Sequence, residues 1–131
     1  MNLKKFKYVN VDVLIGKDTC LTGNLQSESA MKIDGTIHGN ISTDREVIIS
    51  DTAIVQGDIV AGALILAGKL LGNAIVSEQL VIKSTGSLEG NIESGSLVIE
   101  EGGTFIGMNR SINKDIVQGI ESSVSDESTE V

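Results

Sequence analysis

His38 and Cys20 are the only histidine and the only cysteine in this chain of 131 residues, and together they bound the chemistry it can do. A general base poised near neutral pH would have to be His38, and a redox-active thiol would have to be Cys20. They stand eighteen residues apart, one period of the pattern described below but at different phases of it. They therefore do not converge as the two or more ligands a metal site needs. His38 lies between Ile37 and Gly39, and alternation from Ile37 places it alone on an outer surface. Cys20 precedes the inward Leu21, so it faces outward or sits at a bend. A single cysteine forms no internal disulfide, and a reducing compartment leaves it a thiol. The acidic pair Glu100/Glu101, beside Gly102 and Gly103, reads as a solvated turn. No glycines cluster as a GxxxxGK[ST] element, so no nucleotide site is visible. No catalytic, cofactor-binding or metal-ligating residue is assigned.

What recurs instead is a spacing. Six times, at intervals of 15 to 18 residues, a glycine follows two positions after an aliphatic or aromatic residue. The pairs are Leu21/Gly23, Ile37/Gly39, Val55/Gly57, Leu70/Gly72, Leu88/Gly90 and Phe105/Gly107. Asn24, Asn40, Asp58, Asn73 and Asn91 follow the first five glycines, and Met108 follows the sixth. A fixed period of this size marks a solenoid, in which each unit buries its apolar face only against its neighbours. Upstream stand the pairs Val13/Ile15, Met31/Ile33, Val47/Ile49, Leu64/Leu66, Leu80/Ile82 and Leu97/Ile99, each with the two-residue spacing of one strand face. The step from each pair to the next aliphatic is four or six residues, so its parity holds and every aliphatic stays inward. Asn or Asp after Gly suits tight bends, and the Asn/Asp column is expected to stack as a ladder of amides bonded to one another and to the turn backbone.

The expected fold is all-β: a single-domain parallel β-helix of about six windings, each with two or three short strands. At roughly 4.8 Å per winding the rod is about 25–30 Å long. A β-sandwich with evenly spaced strands would not hold one glycine register through six units. Composition agrees, since the interior of a narrow coil favours aliphatics: the only aromatics are Phe6, Tyr8 and Phe105, and there is no proline to remove a ladder donor. Three segments are expected: a basic, disordered arm at 1–8, the β-helix at 9–109, and an acidic, Ser-rich disordered tail at 110–131, with a short helix around Lys114–Ile120 as a variant. The net charge of −8, with no basic stripe and few stacking aromatics, argues against direct binding of nucleic acid. No apolar run is long enough to span a bilayer and no signal-peptide region is visible, so the chain is expected in the cytosol.

Function is then expected at the ends and in the arm. The first winding opens on alternating Val9, Val11, Val13 and Ile15, and the last closes on Phe105, Ile106 and Met108. Neither end carries a polar cap, and an open strand edge templates further pairing. Phe105, Ile106, Met108, Val11 and Val13 are therefore the expected polymerisation contacts. The arm mixes Lys4, Lys5 and Lys7 with Leu3 and Phe6, a composition that suits contact with an anionic leaflet, where each lysine contributes about 1 kcal/mol and many arms act together.

These residues resemble the bactofilins, a family of bacterial cytoskeletal proteins, over roughly residues 9–109. The likeness rests on Leu14-Ile15-Gly16-Lys17-Asp18-Thr19, on Ile33-Asp34-Gly35-Thr36-Ile37-His38-Gly39-Asn40-Ile41, and on Gly57-Asp58-Ile59 and Gly90-Asn91-Ile92. The resemblance implies a right-handed coil, nucleotide-free assembly, and apolar filaments joined head-to-head and tail-to-tail, with Phe105 in the place of the family's exposed terminal apolar residue. It also implies attachment at the inner face of the cytoplasmic membrane through the arm, and scaffolding of cell-shape, envelope or polarity factors, peptidoglycan-modifying enzymes among them. The proline-rich flanks common in the family are missing. A rival reading is a hexapeptide-repeat acyltransferase, a left-handed β-helix, but that needs strict six-residue recurrence, and its only candidate base is His38. An adhesive or ice-binding solenoid would show regular Thr-x-Thr ladders, which are absent.

Overall fold

Short aliphatic runs, each cut off by a Gly-Asn or Ser/Asp-rich corner, form sixteen β-strands and no helix across residues 11–112, the part of the chain the computed structural model describes. The first winding holds β1 (Val11–Ile15), β2 (Cys20–Thr22) and β3 (Leu25–Gln26), and the second β4 (Ala30–Ile33), β5 (Thr36–His38) and β6 (Ile41–Ser42). The third holds β7 (Glu46–Ile49), β8 (Ile54–Gln56) and β9 (Ile59–Ala61). Next come β10 (Ala63–Leu66), β11 (Lys69–Leu71), β12 (Ala74–Ile82), β13 (Ser87–Glu89), β14 (Ile92–Ile99), β15 (Thr104–Ile106) and β16 (Asn109–Ser111). Two strands, β12 and β14, run through the corner that closes one winding and opens the next. Each therefore counts twice, and six windings of three faces result.

Every pairing is parallel and joins one winding to the next at the same phase. The first face stacks Val13, Met31, Val47, Leu64, Leu80 and Leu97 in one unbroken register. The second face stacks Leu21, Ile37, Val55, Leu70, Leu88 and Phe105. The third stacks Leu25, Ile41, Ile59, Ala74, Ile92 and Asn109. From Met31 to Leu88 the inward side chains of these columns are fully buried and form one continuous core. This is the all-β solenoid of about six windings that the spacing predicts.

The mixed step lengths have a simple cause. Each six-residue step holds a reverse turn, closed by Thr19 N–H to Gly16 O at 3.0 Å, Ala53 to Ser50 at 2.9 Å, Gly86 to Lys83 at 2.8 Å and Gly103 to Glu100 at 2.8 Å. The four-residue steps omit it. There Gly35 and Gly68 lie so close to the turn below that a Cβ on either would overlap backbone carbonyl oxygens of that turn. The threonines of the longer turns complete the fit: Thr52 Oγ1 donates to Asp34 O and Thr85 Oγ1 to Ala67 O, each at 2.7 Å.

The recurring glycines occupy one corner. Gly57 has φ of 151°, a region L-residues avoid, and a Cβ there would fall inside the carbonyl oxygen of Gly39 one winding below. The same holds up the column to Gly107, but Gly23 at its foot has φ of 128° and no atom within 4 Å of the place a methyl group would take. Two separate penalties should therefore come apart by mutation. Gly23→Ala is expected to cost about 1–2 kcal/mol, the backbone term alone. Gly57→Ala adds displacement of the coil below and is expected to cost about 3 kcal/mol or more. Thermal and urea unfolding of both variants, in the same buffer, reads the difference.

Candidate assembly surfaces

The chemistry-bearing residues are spread over the outside of the coil. Cys20 is exposed. His38 is exposed too, but not alone: its Nδ1 lies 2.9 Å from Oε1 of Gln56, the residue in register with it one winding on. Glu100 does more than face water, because it accepts from Lys83 Nζ at 3.1 Å and from Ser84 N–H at 3.2 Å. On the first face, hydrogen bonds from the Lys32 ammonium and then from the Ser50 hydroxyl hold the Asp34 carboxyl below the usual carboxylate range. These are pairs between neighbouring windings or within one strand end, and among the described residues no three His, Cys, Asp or Glu side chains converge in a way that could hold a metal ion.

The Asn/Asp column is a ladder, and of the two kinds of bond expected, amide to amide and amide to turn backbone, it is built on the second. Each side-chain oxygen accepts the backbone N–H of its counterpart one winding later. Asn24 accepts from Asn40 at 3.0 Å, and Asn40, Asp58 and Asn73 accept from Asp58, Asn73 and Asn91 at 2.9 Å. Asn91 accepts from Met108 N–H at 3.2 Å, and there the ladder stops, because the Met108 side chain carries no oxygen. The column thus has a direction: acceptors look toward the C-terminal end.

The assembly residues singled out from sequence fall into two groups at opposite ends of the coil. Phe105 continues the Leu88 column, points inward and packs on the core, yet remains half-buried because no described winding lies over it. Beside it Ile106 and Met108 are 60% and 70% exposed. Val13 is inward and half-buried at the other end. Val11 departs from the expected alternation. A bulge between Val11 and Val13 shifts the register, so Val11 pairs with Ala30 and is exposed. The bulge puts Val11 and Val13 on different phases, and a contact there would use Val13 from within and Val11 from the rim. Leu3, Lys4, Lys5, Phe6 and Lys7, and the segment Lys114–Ile120, lie outside the described residues.

Both ends hold more open core than the spacing picked out. At the N-terminal end Ile15, Leu21 and Leu25 join Val13 as half-buried aliphatics packed against the core. At the C-terminal end Leu97 is half-buried and Ile99 exposed, whereas their counterparts Leu80 and Ile82 one winding below are fully buried. Asn109, exposed, takes the third-face position that Ile92 fills below it, so this end is apolar on two faces and polar on one. The third-face column could have been found in the sequence: Leu25, Ile41, Ile59, Ala74 and Ile92 each stand two residues after a column glycine.

This geometry offers two apolar, strand-edged ends and no convergent catalytic group among the described residues. Among those residues there is also no helix long and apolar enough to cross a membrane. Compared with known proteins, a family model described as bactofilin, polymer-forming cytoskeletal, matches residues 13–110. No curated protein and no solved structure matches.

Leu80 and Leu97 share a column and a chemistry and differ only in what covers them, which makes them a gauge of the open end. In unassembled subunits Leu80→Ala is expected to cost about 3 kcal/mol and Leu97→Ala about 1 kcal/mol. Thermal melts of the two variants measure this, and equal losses would mean that some other part of the chain already covers the last winding.

Proposed function

This chain belongs to the bactofilin family of polymer-forming cytoskeletal proteins, and we propose from that premise that its subunits join through their two open ends into apolar filaments without nucleotide. The observation that carries the reading is the pair of core faces that no described residue covers, Val13, Ile15, Leu21 and Leu25 at one end and Leu97, Ile99 and Phe105 at the other. Covering them with a second copy removes apolar area from water and gives the edge strands partners.

The direction of the Asn ladder supports joining like ends. In a head-to-tail stack the Asn24 N–H of one copy would lie over Met108 of the next, which offers no side-chain oxygen to accept it. Joining C-terminal end to C-terminal end avoids that mismatch and sets Phe105, Ile106 and Met108 against the same residues of a second copy. Val11 and Val13 then serve the opposite junction.

The filament is proposed to lie on the inner face of the cytoplasmic membrane, held by Leu3, Lys4, Lys5, Phe6 and Lys7 of many subunits, and to position envelope- or shape-determining proteins such as peptidoglycan-modifying enzymes. Support for the arm is its composition: three lysines and no acid within residues 1–10, against a body that is otherwise acidic. One arm binds weakly, and a filament adds many.

Phe105→Arg sets a charge on an apolar junction, with a desolvation cost of several kcal/mol. Folded subunits, judged by circular dichroism, should remain as small soluble species where the parent chain pellets as filaments, and filaments of unchanged length would remove Phe105 from the contact. In the same assay, deleting residues 1–8 should leave filaments intact and abolish their co-sedimentation with anionic liposomes.

A further inference from the structure

Between the two inward residues of each winding on the first face stands one that points out. These residues, Leu14, Lys32, Ile48, Ile65, Val81 and Val98, are in register across all six windings. Five are aliphatic, and Leu14 and Val98 at the two ends are 62% and 42% exposed. No other outer surface of the described coil carries such a column. On the third face only Val60 and Ile75 adjoin, and on the second Ile54 lies between Thr36 and Lys69. The fourth winding has no charge at all on this face, presenting Ala63, Ile65 and Ala67. Along the column that borders the stripe stand Asp34 in the second winding, paired with Lys32, and Lys83 in the fifth, paired with Glu100.

We propose that this face is a lateral contact between two copies of the chain, packed first face to first face with their rods antiparallel. A two-fold axis running along the strand direction brings the first winding over the sixth, the second over the fifth and the third over the fourth. Ile48 then faces Ile65, Leu14 faces Val98, and the stem of Lys32 lies over Val81. The same operation sets Asp34 of each copy against Lys83 of the other. That opposite-charge contact is the complementarity a specific pairing needs, and Glu46 of each copy lies over Ala63 of the other. Turning the rods parallel instead places Lys32 upon Lys32. A lipid surface fits less well, because the acidic groups Asp34, Glu46 and Glu100 stand along the stripe and an anionic leaflet repels them.

The size of the stripe says when this contact acts. Six strands span about 24 Å and three outward positions about 13 Å, so one copy offers about 300 Å². A stable pair of proteins buries about 800 Å² on each side. Isolated subunits are therefore too small to pair, while filaments repeat the stripe in register and multiply it. The inference thus rests on the end-to-end filament, and makes lateral pairing its consequence.

Two single-cysteine variants test it in full-length chains carrying Cys20→Ser: Lys32→Cys and Val81→Cys. Antiparallel pairing places these positions opposite one another and keeps each about three windings, about 14 Å, from its own copy. Packed faces lie about 10 Å apart, beyond the reach of a direct disulfide, so a bis-maleimide of about 8 Å span serves as the cross-linker, and co-filaments of the two variants should hold about tenfold more linked dimer than filaments of either alone. Electron microscopy of the same samples scores filaments separately. Self-linking of either variant alone overturns the antiparallel register. Filaments that form yet give no linked dimer overturn the pairing and leave the end-to-end reading intact. Absence of both filaments and linked dimer overturns both.

Discussion

Parallel stacking in exact phase is the constraint on which the rest of this structure depends. Because each strand pairs with the equivalent strand one winding away, every side chain lies over its own counterpart, and each position along the coil becomes a column. Columns admit few residue types. Inward ones are aliphatic at almost every level, with Thr43 and Ser94 the buried polar exceptions, because a polar side chain without a partner is costly to bury. A corner that brings backbone against backbone must be glycine at every level, as from Gly39 to Gly107. An Asn or Asp at the next position is favoured because its oxygen reaches the N–H one winding on. The recurring spacing is the trace of these columns in one dimension.

The same constraint explains why the ends matter. Within a column a side chain is buried by its neighbours on both sides, so Leu64, Leu70 and Leu80 are fully covered without any contribution from loops. Among the described residues the first and last members lack one neighbour each. Val13, Leu21 and Leu25 at one end and Leu97 and Phe105 at the other are only partly covered although their positions are equivalent to core. A coil of this kind has core exposed by construction, and membership of a polymer-forming family fits a molecule whose unfinished surfaces are its two ends. Asn109 shows that one column is already closed with a polar residue, which narrows the apolar area at the C-terminal end to the first and second faces.

Much of this was legible in the sequence, for reasons that can be given residue by residue. The Val13 and Leu21 columns announced themselves because even steps between aliphatics survive turns of different length. The third face was harder to see. Ala74 is small, Asn109 is polar, and the column sits directly behind the Gly-Asn corner, which draws the eye as a turn. The outward stripe from Leu14 to Val98 was hidden for a different reason: alternation assigns a residue between two inward ones to solvent, and does not say whether solvent is all it meets. Irregular register was not visible. The bulge that offsets Val11 from Val13 breaks the even alternation and does not follow from spacing, whereas the pairing of His38 with Gln56 does, because each stands between a column aliphatic and a column glycine.

The central claim is that the coil is continued from one molecule into the next through its bare ends. Electron cryomicroscopy of assembled filaments tests it most directly. If the claim holds, windings run coaxially across each subunit boundary at about 4.8 Å, and the six windings of a subunit advance the filament by about 29 Å. Rods lying across the filament axis, or ends held apart with contacts made through the faces alone, would contradict it.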